Sequence, residues 1–353
     1  MTSTPGGAIQ RNGNACPEYP VPDSNIDRLL AAFARKKSDR TPNFEIIVET
    51  QAVATLTGWP EPRARQSRFL EPADAVAFAK LTAQDAIVVC ADAWIGQDAV
   101  REWADLEKIG RPDPGGPRRC LQQYLDAAAG TDIGVCAHMC APFFVAYMAM
   151  GPVPIQSFML SLHDDLPLVE RLMDIQLENQ LAIWEGIKDL PLSFAVVADD
   201  VAATSGYFCR PALMDEIWAP RAQRLARAVK DTGLPMLWHC CGKLDDVLPH
   251  LVDWGVDAIN PVQPACNDIY RIKKDYGDRL CLVGNMSIEG VLAFGTPDEV
   301  AADTRQHIER LSEDGGYVVA SSHCIIDGVP VDNYLAMIHA AQATRMPSTG
   351  KRR

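Results

Sequence analysis

The chain has 353 residues, 48% of them hydrophobic and 22% charged, with a formal net charge of −13. That is enough apolar sequence for a large core, and an acidic chain whose basic runs are only Arg35-Lys36-Lys37 and Lys351-Arg352-Arg353 argues against nucleic acid as a partner. With no apolar stretch of about 18 residues and no apolar signal core near the N-terminus, the sequence predicts no membrane span and a cytoplasmic chain, in which the 11 Cys serve as metal ligands or buried thiols.

Residues 1–25 are polar and read as a flexible arm, 26–345 as one domain, and 346–353 as a tail. A helix is predicted over 26–37. Eight short apolar runs then follow, at 44–48, 86–90, 133–137, 194–198, 235–238, 258–259, 280–283 and 317–320. Helical patterns at 73–81, 166–186, 211–232, 244–254, 269–276 and 297–312 separate most of them, and another at 331–341 follows the last. Strands alternating with helices imply parallel βαβ units, and eight such units close into an α/β (β/α)8 TIM barrel. The competing open sheet usually carries a glycine-rich phosphate turn after its first strand, and none follows residue 48. The polar segment 94–123, with Pro112, Pro114, Gly115, Gly116 and Pro117, reads as a lid-like insertion over the barrel mouth.

The sharpest chemical signal is His239-Cys240-Cys241-Gly242, where the fifth candidate strand runs out. Imidazole and thiolate are preferred zinc ligands, and along a strand positions 239 and 241 point to the same side. The last candidate strand ends in His323-Cys324, on the same rim, so either residue can complete a site of three protein ligands with an open fourth position. The alternative is that His323 hydrogen-bonds a substrate and Cys324 is simply buried. Other polar residues collect at strand ends: Glu45 and Glu49, Asp92, His138, Asp199 and Asp200, Asn260 and Asn285. Each either lines the pocket or caps a helix. Cys136 and Cys140 read as buried thiols, and His250, His307 and His339 as solvent-facing helical residues.

Several segments, taken in order, resemble the uroporphyrinogen decarboxylases and their corrinoid-linked methyltransferase relatives. They are Ser38-Asp39-Arg40-Thr41-Pro42, Ala198-Asp199-Asp200 followed by Gly206 to Pro211, His239-Cys240-Cys241-Gly242, Gly255 to Asn260, Tyr276-Gly277-Asp278-Arg279 leading to Gly284-Asn285, and Ser321-Ser322-His323 with Pro330 and Asn333. The likeness covers about residues 26–342. Decarboxylases of this kind carry an Arg-rich element after the first strand; here residues 43–49 contain no Arg and two Glu, which would repel a polycarboxylate.

The resemblance therefore implies the methyltransferase branch, with zinc on His239, Cys241 and Cys324, His323 staying open as the third ligand. It makes Glu45, Asp199, Asp200 and His323 candidate catalytic residues and Asn260 and Asn285 candidate cofactor contacts. It implies a corrinoid (cobalamin) as methyl carrier on a separate corrinoid protein, a small-molecule methyl donor or acceptor, and a homodimer. Phe44, Phe143, Phe144, Trp94 and Trp238 near the mouth lean the substrate toward an aryl methyl ether. A methylcorrinoid:thiol methyltransferase is the alternative, and a uroporphyrinogen-type decarboxylase a more distant one.

Overall fold

The computed structural model describes residues 23–344. The expected arm, save its last three residues, and the expected tail lie outside the described residues. Seven parallel strands form one curled sheet: β1 (Ala86–Cys90), β2 (Gly134–Cys140), β3 (Phe194–Ala198), β6 (Met236–His239), β7 (Ala258–Asn260), β8 (Cys281–Val283) and β9 (Tyr317–Val318), hydrogen-bonded in that order. A small antiparallel hairpin, β4 (Ala202–Ala203) and β5 (Gly206–Tyr207), follows β3.

The eighth stave departs from the expectation of a regular strand. Residues 43–48 lie beside β9 through isolated parallel bridges, Asn43 to Val319 and Val48 to Ile325. On the β1 side, side chains substitute for a ladder. Glu45 N–H donates to Gln84 Oε1 at 2.8 Å and Val48 N–H to Ser67 Oγ at 2.9 Å. The barrel thus closes, but with one wall stitched by side chains and isolated backbone bonds, such as Asp85 N–H to Asn43 O at 3.5 Å, rather than by a continuous ladder.

Strand alternation splits the core into two layers. Val88, Cys136, Val196, Leu237, Val283 and Val318 point inward and form one cluster. Val89, Val197, Trp238 and Ile259 point outward against the helices. The helix Ile26–Phe33 plugs the N-terminal end of the barrel. The Asn25 side chain accepts from Asp27 N–H at 2.9 Å and starts it. Leu29 and Phe33 join the inner cluster, Phe33 meeting Phe194 edge-on at 5.2 Å, and burying each stabilises the fold by about 1.5–3 kcal/mol. This helix is shorter than predicted, because Arg35 takes a left-handed conformation (φ 56°).

The predicted insertion is smaller than 94–123 suggested. Its second half belongs to the helix Gly115–Ala128, part of the β1-to-β2 crossover. Its first half, with the short helix Trp103–Leu106, remains over the mouth. The predicted helix over 211–232 is two, Pro211–Ile217 and Ala219–Lys230, broken at Trp218, whose indole N–H is committed to Asp199. No helix among the described residues is long and apolar enough to cross a membrane.

Candidate metal centre

The strand parity that fills the barrel with apolar side chains also decides what reaches its mouth. Since Leu237 points inward and Trp238 outward, His239 and Cys241 point inward. By the same count Asp200 points inward beyond β3 and Asp199 outward. Asn260 ends β7 on the inner side, and Cys90 at the end of β1, Asp92 just beyond it and His138 on β2 face inward too.

His239, Cys241 and Asp200 bring their ligand atoms within 4.8 Å of one another. His239 Nε2 lies 3.6 Å from Cys241 Sγ and 3.8 Å from Asp200 Oδ1. The imidazole is held from behind. Asn260 Nδ2 donates to Val283 O at 3.1 Å, so its Oδ1 is left to accept from His239 Nδ1–H at 2.6 Å. That contact fixes the tautomer and leaves the Nε2 lone pair facing the mouth. Burial, foremost, lowers the His239 pKa and keeps the ring neutral. The Cys241 thiol is pushed well up by burial and then by the Asp200 charge, so a thiolate here needs a cation beside it.

Gly242 explains why the motif ends as it does. At φ +86° a Cβ would stand 2.3 Å from Ala202 O, so only glycine lets the chain turn under the hairpin. The turn is then fastened by Gly242 N–H to Gln263 Oε1 at 2.6 Å and Cys241 N–H to Asp200 Oδ1 at 2.8 Å.

The donor set fits zinc. With bonds of about 2.0–2.3 Å, neighbouring ligands of a tetrahedral zinc stand about 3.5 Å apart. The imidazole–thiol pair meets that spacing, and Asp200 is slightly wide of it. Cys324, the expected third ligand, is not in this group; its Sγ lies 2.9 Å from His323 Nδ1, and burial pushes its pKa up to about 12. His323 stands edge-on to His239 at 6.2 Å between ring centroids. The structure thus gathers His239 and Cys241 with Asp200 and sets the His323–Cys324 pair apart, beyond β9.

Other candidate residues separate by parity. Asp199 is fully buried outside the wall, accepting from Phe144 N–H at 2.7 Å and Trp218 Nε1–H at 2.8 Å; burial raises its pKa to about 7. Glu45 also faces outward, since Phe44 and Ile46 belong to the inner cluster. It accepts from Ser321 N–H and Oγ–H at 2.6 and 2.7 Å, and burial raises its pKa to about 8. Asn285 ties Val262 O (2.7 Å) to His307 Nε2 (3.2 Å). Cys136 and Cys140 are buried, as expected.

Two further expectations fail. His250, His307 and His339 are half-buried rather than solvent-facing, because their helices press that face onto aromatic neighbours or the barrel wall. Phe44, Phe143 and Trp238 are core residues, which leaves Phe144 and the half-exposed Trp94, 6.1 Å apart, as the aromatic wall of the mouth. Two residues were missed. Tyr147, one turn beyond Phe144, has its phenol pKa raised by burial and then by Asp200, Asp199 and Cys241; the i, i+3 spacing on a helix leaving β2 was the available signal. Arg68, outside the stretch 43–49, brings a cation toward Cys90, Cys140 and Cys324, lowering the pKa of each against the rise that burial imposes.

A parallel barrel whose C-terminal mouth carries an imidazole–thiol pair defines a class, the TIM-barrel proteins whose functional groups gather at the strand ends. Comparison with known proteins narrows it: residues 94–344 match the model of the uroporphyrinogen decarboxylase (URO-D) family, and the chain belongs to that family. It is 26% identical over 212 residues to the methylcobamide:CoM methyltransferase MtaA of Methanosarcina barkeri, covering 60% of this chain and 58% of that protein. It is 25% identical over 133 residues to a methylated-thiol–coenzyme M methyltransferase of Methanosarcina mazei, covering 37% and 33% of the two chains. The chain therefore spans little more than half the length of the first of these relatives and a third of the second. A solved methyltransferase from Methanosarcina mazei shares the fold, with TM-score 0.69 and 22% identity over 91% of this chain and 99% of that one.

Proposed function

We propose that this chain is a corrinoid-dependent methyltransferase that binds zinc on His239 and Cys241 and moves a methyl group between the cobalt of a partner's corrinoid and a small thiol at the barrel mouth. The observation that carries this is the neutral His239 Nε2 standing 3.6 Å from the Cys241 thiol with its other nitrogen pinned by Asn260. The similarity to methyltransferases named for thiol substrates supports a thiol over other acceptors. When bound, the ion stabilises a thiolate at neutral pH and so makes a substrate thiol nucleophilic.

The chain's own residues do the rest. Asn260 keeps the imidazole aimed. Asp200 and Cys324 compete for the third ligand position, Asp200 by nearness to His239 and Cys324 by the resemblance. Tyr147, held neutral, offers an O–H to a heteroatom at the mouth. Decarboxylation of a polyacidic tetrapyrrole fits the inner rim poorly, because Asp92 and Asp200 face it.

The Phe144–Trp94 wall favours a second reading, an aryl methyl ether as methyl donor. One experiment separates the readings. The full-length zinc-loaded protein is incubated with methylcob(III)alamin and a panel of small thiols, and separately with cob(I)alamin and aryl methyl ethers. Methylcobalamin loss with thioether formation supports the thiol reading, and methylcobalamin formation from an ether supports the second. Exchange with neither overturns both, and turnover of a porphyrinogen would restore the decarboxylase.

A further inference from the structure

On the neighbouring stretch of the mouth, where β2 pairs with β3, Cys90, Asp92 and His138 form a second set whose ligand atoms lie within 4.8 Å of one another. It repeats the construction of the first. There, β6 supplies a pair two residues apart, His239 and Cys241, and the neighbouring β3 leads into Asp200. Here, β1 supplies Cys90 and leads into Asp92, two residues on, while the neighbouring β2 supplies His138, in direct register with Cys90. Both sets contain one imidazole, one thiol and one carboxylate. They do not merge into one group, so a single ion does not bridge them.

Three observations point to a ligand. The His138 side chain is buried (4% exposed), and its Nδ1 makes no hydrogen bond. That nitrogen lies 3.4 Å from Asp92 Oδ1, long for a well-formed hydrogen bond and close to the roughly 3.5 Å between two ligands of one tetrahedral ion. The Asp92 carboxylate is aimed from behind by Cys140 N–H at 2.6 Å, as metal-binding carboxylates commonly are. Among the described residues, the one ion-pair contact of the Asp92 side chain is His138. On its other side Asp92 borders a cavity of about 330 Å³ under the remaining insertion, walled by Trp94, Arg111 and Asn179.

We infer that Cys90, Asp92 and His138 bind a second, thiophilic divalent cation of the zinc type, with its open position toward that cavity. This inference does not depend on the methyl-transfer reading, because the two sets share no residue.

The test uses Co²⁺ as the probe on the full chain stripped of metal by a chelator. Bound cobalt per chain and the sulfur-to-cobalt charge-transfer band are measured for the wild type, Cys90→Ser, His138→Gln and Cys241→Ser. The wild type is expected to hold two cobalt ions, each single variant one, and Cys90→Ser/Cys241→Ser none. One ion in the wild type, lost in Cys241→Ser and kept in Cys90→Ser and His138→Gln, overturns the second site and leaves the first. An unchanged count in Cys241→Ser with a loss in Cys90→Ser overturns the first site and leaves the second. The wild-type stoichiometry stands as evidence even if a variant fails to fold, and circular dichroism identifies such a variant.

Discussion

The two walls of the barrel mouth make an instructive pair. β6 with β3 and β1 with β2 place the same three donor types by the same arrangement, two inward residues on one strand and one from its neighbour. They differ in what stands behind the imidazole. His239 has its Nδ1 pinned by Asn260 and its following turn locked by Gly242, whereas the His138 Nδ1 faces the cluster itself and makes no hydrogen bond. Parallel pairing is enough to collect ligands; a fixed tautomer and a fixed turn are further requirements, and only the first wall meets both. The first wall is therefore expected to bind its ion more tightly.

Several measurements break or sharpen that contrast. The largest effect is expected from Cys241→Ser, which removes the thiolate donor. Methyl transfer should fall roughly 10³-fold, corresponding to several kcal/mol of lost metal assistance, and a rate within tenfold of wild type would remove the first wall from the chemistry. Next is Asn260→Ala, which frees the His239 ring. Zinc affinity of the first set should drop about 10–100-fold by competition with a chelating dye, while cobalt binding at Cys90, Asp92 and His138 is unchanged. Equal losses at both sets would show that Asn260 acts through the fold rather than through one imidazole.

Gly242→Ala should cost about 1–3 kcal/mol, since the new Cβ meets Ala202 O at a left-handed φ. A thermal midpoint equal to that of wild type would mean the turn is not rigid. The last test concerns Glu45, outside both sets, where the effect is spread over a wide pH range. Its carboxyl binds a proton more tightly folded than unfolded, so its contribution is present below the ordinary value of 4.5 and is lost as pH climbs toward about 8. Unfolding free energy should decline across that window with a slope of at most about 1.4 kcal/mol per pH unit from this group, and Glu45→Gln should flatten it. An unaltered slope in denaturant titrations would place the titration elsewhere.

The candidate site was legible where its information is local. His239 and Cys241 lie two apart on one strand, so their common direction follows from strand geometry, and the glycine after them marks a turn. Asp200 was legible as a residue at a strand end, but not as the neighbour of His239. Their nearness comes from the pairing of Ala198 with His239 across strands some forty residues apart. The Cys90–Asp92–His138 set was invisible for the same reason. Asp92 and His138 each stood out as polar strand ends, while Cys90 passed as the last residue of an apolar run. The aromatic pocket was misjudged because composition does not say which side of a wall a ring occupies.

By itself the sequence determined the period of the strands and helices, the barrel they close into, the H-x-C donors and the URO-D family likeness. All of these are carried by neighbours along the chain. The tertiary structure alone decided which donors share a site, that Asp199 and Glu45 turn away from it, and that residues 43–48 close the barrel through the side chains of Gln84 and Ser67 rather than a backbone ladder. The physical reason is that register between distant strands is set by how the whole barrel packs its inner and outer cores, and no short segment contains that information.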